Sequence, residues 1–247
     1  MPRPMKPKAA ILHAAIAPGA AVDEQDTLVQ LAAIAASLER LGWQAVPVPV
    51  TLDLAAMVRR LKTLKPEFAF NLVEALDGVG QLIHIAPAVV DRLGIAYTGA
   101  GSDAMFLTSN KPMAKRRLVA AGLPTAGWVD EAGEHAGSDH GSIDPAGRFI
   151  VKSVWEDASI GIESGSVVEG LAAARRRIAE MRARHGGDWF AEAFVDGREF
   201  NVALLESDGA GGVETLPIAE ILFIDFPPDR PRILDYASKW DEQSFAY

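Results

Sequence analysis

Short apolar runs alternate with amphipathic stretches over the N-terminal part of the chain. The apolar runs at residues 9–17, 44–50 and 68–72 predict three strands, and the prolines of the second run are typical of an edge strand. Leucines at helical spacing between these runs predict two helices, with Asp26 and Asp53 as their caps. This order of elements indicates a parallel sheet covered by helices.

The pattern changes after Asn110. A basic helix begins at Lys111, a strand is expected near residues 127–129, and residues 131–147 form a polar, glycine-rich linker. Apolar runs then flank a predicted helix at residues 171–185, and the sequence SDGAGG separates two further runs as a hairpin turn would. The second part of the chain is therefore expected to be α+β with antiparallel strands.

Composition narrows the possible classes of protein. The 247 residues are 49% hydrophobic and 23% charged, which is typical of a globular protein. The formal net charge of −9, with 24 basic against 33 acidic residues and no dominant basic segment, argues against nucleic-acid binding. Because the chain has no cysteine, disulfides, a thiolate nucleophile and cysteine metal ligands are excluded.

The N-terminus combines basic residues with an apolar run, as a secretory signal does. Arg3, Lys6 and Lys8 precede AAILHAAIAPGA, but His13 interrupts that run and a Pro-Gly pair leads directly into the next helix. We therefore interpret the run as a first buried strand. Because no apolar run is long enough to span a membrane, a cytoplasmic location is expected and a membrane partner is not.

One lysine interrupts the apolar sequence RFIVKSVW, which is predicted to be a strand. Lys152 follows Val151 and precedes Val154 by two positions, and an ammonium among such neighbours is costly unless it meets an anion or reaches solvent. The following sequence, EDASIGIESG, contains small residues that let backbone N–H groups approach a polyanion. Two interpretations are open on this segment alone: a phosphate-binding lysine, or an edge-strand lysine above an ordinary turn.

Two glutamates lie near the ends of neighbouring predicted strands. In WFAEAFVDGREFNVAL, the short DGR turn would hold the carboxylates of Glu192 and Glu199 near one end of a hairpin. A carboxylate can accept hydrogen bonds from two ribose hydroxyls, and strand-end backbone groups can bind the edge of adenine. Two solvated acids beside a hairpin would give the same sequence. The segment LDYASKWDEQ, which contains Lys239, is typical of a surface loop when it is taken alone.

Together and in this order, these segments resemble the ATP-grasp superfamily, and within it the D-alanine–D-alanine ligase-like branch. The resemblance spans nearly the whole chain from Phe70 onward and is carried by FNLVEALDGVGQ, LGIAYTGAGSDAMFLTSNK, SNKPMAKRRLVAAGLPT, IVKSVWEDASIG, AEAFVDGREFNVAL, LPIAEILF and LDYASKW. It implies an α/β chain: a Rossmann-like pre-ATP-grasp domain over residues 1–100, followed by an α+β ATP-grasp domain. The central subdomain of the latter would cover residues 101–190, and residues 191–247 would begin an incomplete C-terminal subdomain.

The resemblance implies that several residues bind the phosphates of ATP. Lys111 and Lys152 match the two phosphate-binding lysines of the family. The loop DASIG, which includes Ser159 and Gly161, matches the loop that folds over the phosphates. Lys239 matches a lysine on the mobile loop that closes over the γ-phosphate, and it is the one residue for which a catalytic role is implied.

Other residues match positions that bind the nucleoside. Glu192 corresponds to the acid near the adenine amino group, and Ala193 and Val195 correspond to positions whose backbone groups hydrogen-bond adenine. Glu199 corresponds to the acid that binds ribose. The resemblance thus implies ATP as a substrate, Mg²⁺ as the accompanying ion, and an amino acid or short peptide as the molecule to be ligated. It also implies a homodimer.

The reaction implied by the resemblance is the ATP-dependent ligation of a carboxylate to an amine through an acyl phosphate, with release of ADP and phosphate. Such chemistry needs positioned cations more than a covalent nucleophile, because the developing charge lies on phosphoryl oxygens. Two alternatives stay open. One is a nucleotide-binding domain without catalysis, and the other is a different ATP-grasp type, such as a glutathione-synthetase-like peptide ligase.

Four features depart from the family pattern. The magnesium ligands of the family lie in a later segment with a Glu-x-Asn pair, so no residue here is assigned to a metal, and part of the C-terminal sheet is expected to expose an apolar face. In APGAAVDEQDTL, Glu24 and Asp26 are the candidates for binding a substrate ammonium, although Asp26 is also the predicted cap. Glu74 and Asp77 stand in an altered first-domain acid pattern. Trp240 replaces the tyrosine usual beside the loop lysine.

Overall fold

The structure is a computed structural model that describes residues 6–130, 133–135, 143–207, 212–228 and 230–247. Most of the predicted linker at residues 131–147 lies outside these ranges. So do residues 208–211, which form the centre of the predicted hairpin turn. The statements below concern the described residues.

A four-stranded parallel sheet forms the N-terminal lobe. Its elements are β1 (Lys8–Ala14), α1 (Val22–Arg40), β2 (Gln44–Val50), α2 (Leu54–Leu64), β3 (Phe68–Leu72), α3 (Ile85–Leu93) and β4 (Ala96–Tyr97), with a 3-10 turn at Gly80–Leu82. The strand order β2-β1-β3-β4 confirms the predicted parallel sheet and the edge position of the proline-bearing strand. Because β1 is central, its residues from Ala9 to Leu12 are fully buried between the helices.

The two predicted helix caps have different outcomes. Asp53 caps α2, since its carboxylate accepts a hydrogen bond from the backbone N–H of Ala56 at 2.9 Å. Asp26 does not cap α1, and that prediction was wrong. The helix begins at Val22, where the Glu24 carboxylate reaches back to the N–H of Ala21 at 3.2 Å and so satisfies the first turn. Asp26 therefore lies one turn inside the helix and accepts a hydrogen bond from the Gln30 amide at 2.8 Å.

A five-stranded antiparallel sheet forms the second lobe, in the order β6-β5-β9-β7-β8. Two helices, α4 (Ser102–Ser109) and α5 (Lys111–Ala120), lead into it. Its elements are β5 (Trp128–Asp130), β6 (Gly133–His135), β7 (Arg148–Ser153), β8 (Val167–Glu169), α6 (Leu171–His185) and β9 (Trp189–Ala193), with a 3-10 turn at Ser164–Ser166. The predicted domain boundary at residue 190 falls within β9, and both domain boundaries stay predictions.

The C-terminal part contains two separate strand pairs and one short helix. These elements are β10 (Glu199–Asn201), β11 (Leu204–Glu206), β12 (Val213–Thr215), β13 (Ala219–Ile221) and α7 (Tyr236–Trp240). The pairing of β11 with β12 confirms the hairpin around SDGAGG, whereas the expected hairpin between β9 and β10 is wrong because β10 pairs with β13. Large apolar side chains are exposed here, with Leu222 at 68% and Ile224 at 72%. Among the described residues, no helix has the length and apolar character needed to cross a membrane.

Candidate active site

A cavity of about 490 Å³ lies between the end of β9, the strand β7 and the segment that leads into α7. Seven of the nine residues predicted to bind ATP or to act on it line this cavity: Lys152, Ser159, Glu192, Ala193, Val195, Glu199 and Lys239. Lys111 and Gly161 do not line it. The structure thus brings together residues from three separate motifs.

A cluster of one carboxylate and two lysines lies at the cavity wall, where Glu192 and Lys152 line the cavity and Lys115 does not. Glu192 accepts hydrogen bonds from Lys152 at 2.6 Å and from Lys115 at 2.8 Å. The side chain of Lys115 is 8% exposed, that of Glu192 17% and that of Lys152 27%. Burial alone would raise the pKa of Glu192, but the charges of Lys152 and Lys115 outweigh it and hold this pKa below its ordinary value. The cluster therefore keeps one uncompensated positive charge beside the cavity.

Lys115 is a residue of the cluster that sequence reasoning missed. The side chain of Asn110 accepts a hydrogen bond from the N–H of Met113 at 2.9 Å and so fixes the start of α5. Lys111 and Lys115 are one turn apart on that helix and point to the same side. Besides Glu192, the Lys115 ammonium contacts the Thr125 hydroxyl at 2.8 Å and lies 5.4 Å from the ring centre of Trp128. The sequence signal that could have identified Lys115 is its spacing of four residues after Lys111, which places both lysines on one face of a helix.

The loop between β7 and the 3-10 turn at Ser164–Ser166 adopts an unusual backbone conformation. Ala158 and Ser159 have φ values of 53° and 62°, in the left-handed region that residues other than glycine rarely adopt. The Ser159 hydroxyl donates a hydrogen bond to the Leu234 carbonyl at 2.7 Å, which ties the loop to the C-terminal segment. Two consecutive strained residues at the cavity wall are typical of a functional loop.

Gly161 has a packing role beneath this loop. Its φ is +71°, and a Cβ placed on it would lie 2.4 Å from a ring carbon of Trp189. Glycine is therefore required at this position for both conformation and space. This finding explains why the family pattern needs a small residue at Gly161 although the residue does not face the 490 Å³ cavity.

Lys111 contacts the first residues of the same loop. Its ammonium donates to the carbonyl of Glu156 at 2.7 Å and to the carboxylate of Asp157 at 3.3 Å. The Lys111 side chain is 27% exposed, so the ammonium still reaches solvent next to the loop. Lys111 therefore contacts the loop itself, whereas Lys152 lines the 490 Å³ cavity and contacts Glu192.

The predicted nucleoside-binding groups lie on the strand end after Phe190. The N–H of Ala193 is already used, since it donates to the Gly127 carbonyl at 2.8 Å. Within the described ranges, the N–H of Val195 has no acceptor, and this residue is 75% exposed. The carboxylate of Glu199 likewise has no partner in the part of the chain that the structure describes. Free donor and acceptor groups at one strand end suit recognition of a purine edge and a ribose.

Three further cations line the cavity. Among the residues that the structure covers, the ammonium of Lys239 and the guanidinium of Arg232 have no anionic partner. Arg198 is already paired, with two hydrogen bonds of 2.6 and 2.7 Å to Glu220. Sequence reasoning missed Arg232, although RPRILDY places it just before the Lys239 motif. The cavity therefore offers unpaired positive charge opposite the Glu199 carboxylate.

A second cavity, of about 230 Å³, lies between the two lobes and on the other side of the loop. The hydroxyl of Tyr236 lies at the neighbouring surface, donates to the Asp23 carboxylate at 2.7 Å and thereby joins α7 to α1. Burial and this hydrogen bond raise the pKa of Tyr236 to about 12. Trp240, which replaces the usual tyrosine, donates its ring N–H to the Ala158 carbonyl at 3.2 Å. Tyr236 thus supplies a hydroxyl contact between the lobes that Trp240 lacks.

No group of three or more histidine, aspartate or glutamate side chains suited to a metal ion occurs within the described ranges. No ligand for a magnesium ion is therefore assigned among the described residues. Glu192, the most buried acid of the 490 Å³ cavity, is already neutralised by two lysines.

Comparisons with known proteins identify relatives that match most of the chain. No family model matches the chain. The D-alanine–D-alanine ligase of Afipia carboxidovorans is 26% identical over 218 residues, which cover 88% of this chain and 67% of that relative. The D-alanine–D-alanine ligase of Acidiphilium cryptum is 34% identical over 179 residues, which cover 70% of this chain and 54% of the relative. Among solved structures, the D-alanine–D-alanine ligase of Bacillus anthracis complexed with ATP matches with a TM-score of 0.65 and 14% identity, over 89% of this chain and 67% of that one.

The two sheets, the loop over the cavity and these structural matches define an ATP-grasp fold, so the fold class predicted from the sequence is confirmed. In sequence, the chain is similar to D-alanine–D-alanine ligases over 70–88% of its length. The chain spans between half and about two thirds of the length of the curated relatives that it matches.

Proposed function

We propose that the protein is part or all of an ATP-dependent carboxylate–amine ligase that forms an amide or peptide bond. The observation that carries this proposal is the cavity that Glu192, Lys152, Glu199 and Lys239 line together, with the Glu192 carboxylate also paired to Lys115. A cavity with cations at one end and strand-end polar groups at the other matches the charge distribution of a nucleoside triphosphate. The relative from Bacillus anthracis was solved as a complex with ATP.

The proposal assigns the nucleoside to the end of β9. Adenine would donate its amino group towards Glu192 and the carbonyl of Ala193, and it would accept a hydrogen bond from the N–H of Val195. Glu199 would accept hydrogen bonds from the ribose hydroxyls. This assignment is supported by the unused N–H of Val195 and by the lack of a partner for Glu199 among the described residues.

The phosphates would lie towards Lys152, Lys239 and the loop residue Ser159. Lys152 is the more exposed lysine of the cluster, so it can leave Glu192 for a phosphate oxygen while Lys115 still neutralises the carboxylate. Lys111 would bind phosphate from the opposite side of the loop after leaving Asp157, which it contacts at only 3.3 Å. The cations thus stabilise the negative charge that develops during phosphoryl transfer.

The proposed reaction has two steps. A carboxylate oxygen of the first substrate attacks the γ-phosphorus, the bond to the β-phosphate oxygen breaks, and ADP leaves. The amine of the second substrate then attacks the carbonyl carbon of the acyl phosphate, loses a proton, and displaces inorganic phosphate. Lys239 is the proposed catalytic residue, because an unpaired ammonium at the cavity stabilises the phosphoryl oxygens.

The proposal includes an amino acid or short peptide as substrate, with the 230 Å³ cavity between the lobes as its site. It also includes Mg²⁺ with ATP, a cytoplasmic location and a homodimer, as the family resemblance implies. No ligand for Mg²⁺ is assigned in this chain, and no step above depends on the ion.

The test is calorimetric titration of ATP, with and without Mg²⁺, into the protein and into Lys152→Ala. We expect the parent to bind ATP and the variant to lose at least about tenfold in affinity, because one charge-assisted contact to phosphate is removed. Lys62→Ala, an exposed lysine on α2, is the matched control and should bind as the parent does.

Binding would then be followed by an assay of ADP release with a panel of amino acids. Absence of ATP binding by the folded parent would contradict the proposal for this chain. ATP binding without ADP release for any substrate would favour the alternative, a nucleotide-binding domain without catalysis.

A further inference from the structure

Building on the proposed function, we propose that the cavity between the lobes binds a substrate that carries two cationic groups, as a basic amino acid or a diamine does. This assignment goes beyond the reaction type, since it names the charge of the molecule to be ligated. It rests on the carboxylates of the cavity and on one buried hydroxyl group that lies among them.

The carboxylates come from three separate parts of the fold. The cavity is lined by six of them: Asp23 and Glu24 in the first turn of α1, Glu74 and Asp77 after β3, and Glu156 and Asp157 after β7. The remaining lining residues are apolar or glycine, apart from Thr27. No lysine, arginine or histidine lines this cavity.

Few of these carboxylates meet a cation among the described residues. Asp157 is the one that meets a cation, Lys111 at 3.3 Å. Asp23 accepts a hydrogen bond from the Tyr236 hydroxyl, and Glu156 accepts one from the N–H of Gly80 at 3.1 Å. These donors are neutral, so they orient the carboxylates without cancelling their charge.

The unbalanced charge has a visible effect on Glu74. Burial, together with the nearby carboxylates of Asp157, Asp26 and Asp23, raises the pKa of Glu74. Within the described ranges, neither Glu74 nor Asp77 has a hydrogen-bond or ion-pair partner. A cation in the cavity would relieve this repulsion, whereas an additional anion would increase it.

Thr27 provides the second, independent indication of a ligand. Its residue exposure is 6%, it lines the cavity, and its hydroxyl has no hydrogen-bond partner in the part of the chain that the structure describes. Its oxygen is not fully enclosed, so the unpaired hydroxyl can be reached from the cavity that Thr27 lines. An ammonium group in the cavity would donate to this oxygen and so complete its hydrogen bonding.

The size of the cavity limits the substrate. Its volume of about 230 Å³ is below the range of about 300–1,000 Å³ that is typical of sites for drug-sized ligands. The cavity therefore suits a single small molecule and not an extended peptide. One cationic group would meet the acids of α1 and Thr27, and the other would meet Glu74 and Asp77.

The experiment compares lysine with norleucine, which has the same chain length without the second charge. Each is titrated calorimetrically into the full chain, both alone and in the presence of a non-hydrolysable ATP analogue, and 1,4-diaminobutane is the third probe. We expect lysine and 1,4-diaminobutane to bind at least about tenfold more tightly than norleucine, because each adds a charge-assisted contact. Glu74→Gln should remove most of this preference. Glu39→Gln, an exposed acid near the end of α1, should retain it.

Thr27→Val separates a ligand role from a structural one. Because the hydroxyl has no partner among the described residues, we expect the variant to keep or raise the melting temperature while lysine affinity falls about threefold. A lower melting temperature with unchanged lysine binding would overturn the role given to Thr27.

Equal affinity for lysine and norleucine, or a preference that survives Glu74→Gln, would overturn the proposal itself. Titration of the ATP analogue in the same experiment distinguishes the two proposals. If the analogue binds and lysine is not preferred, only the substrate inference fails. If the folded protein does not bind the analogue, the proposed ligase function fails, while the titrations without nucleotide still test the cavity.

Discussion

Lys115→Met tests whether Lys115 allows Lys152 to act on ATP. Methionine keeps most of the apolar stem of the side chain, so the substitution removes the charge with little change in packing. The Lys115 ammonium makes hydrogen bonds of 2.8 Å to both Glu192 and Thr125 and is almost completely buried. In the variant, Lys152 is the remaining neutralising partner of the Glu192 carboxylate.

The expected cost follows from these contacts. Removing one partner of a buried ion pair costs about 3–5 kcal/mol when the other charge is left alone. Glu192 retains Lys152 at 2.6 Å, so the loss should instead be that of a hydrogen bond to a charged group, about 1.5–3 kcal/mol. For a chain of this length, a loss of about 2 kcal/mol lowers the melting temperature by roughly 4–8 °C. ATP affinity should also fall about tenfold, because Lys152 can no longer leave Glu192 without exposing a buried unpaired carboxylate.

Thermal unfolding of Lys115→Met measures the loss of stability, and ATP titration measures the loss of affinity. Lys62→Met is the control, because Lys62 is a solvent-exposed lysine on a helix. In the double variant with Glu192→Gln, the stability loss should be smaller than the sum of the two single losses, because the two residues interact directly. If Lys115→Met melts within a degree of the parent and binds ATP equally well, the reasoning about the buried cluster is wrong.

Three further predictions follow from local geometry. Gly161→Ala should lower the free energy of unfolding by about 1–3 kcal/mol in a denaturant titration, because its new methyl group meets a packed indole ring. Gly197→Ala has open space around it and should cost much less, so equal losses would contradict the packing argument. Asp53→Ala should cost about 1 kcal/mol through loss of the helix cap, and Asp26→Ala should cost less; the reverse order in the same titration would refute the cap assignment. The raised pKa of Tyr236, about 12, favours the neutral phenol in the folded state. The stabilising contribution of the Tyr236 hydroxyl, measured against Tyr236→Phe, is therefore fully present below pH 10 and is lost as the pH rises towards 12. If the difference in unfolding free energy between the two proteins does not change over this pH range, the prediction is wrong.

Local patterns predicted the N-terminal lobe well. The strands at residues 44–50 and 68–72 have the predicted bounds, since apolar runs between turn residues determine buried strands over short distances. The error at Asp26 arose because three acids, Asp23, Glu24 and Asp26, lie close together at the start of the helix, and only the bond between Glu24 and Ala21 shows where it begins. A cap depends on the side-chain conformation, which the sequence does not specify.

The candidate site could be predicted only in part, for a related reason. Ordered motifs identified the residues of the cavity because each motif keeps its own spacing, and Lys152 was recognised as a cation in an apolar strand. The pairing of β10 with β13 joins segments that are about 20 residues apart, and no local pattern indicates it. Lys115 was missed because a basic helix gives no sign of which lysine is buried, and its partner Glu192 is 77 positions away.

The central position of β9 in the second sheet has a consequence for the order of folding. Strands β5 and β7 do not pair with each other, because β9 lies between them and hydrogen-bonds to both. During synthesis, the sheet can therefore not close until Trp189–Ala193 has left the ribosome, whereas all four strands of the first sheet lie within the first 97 residues. The N-terminal lobe can fold early from contacts that are closer in the sequence, and the second lobe exposes the edges of β5 and β7 until β9 arrives.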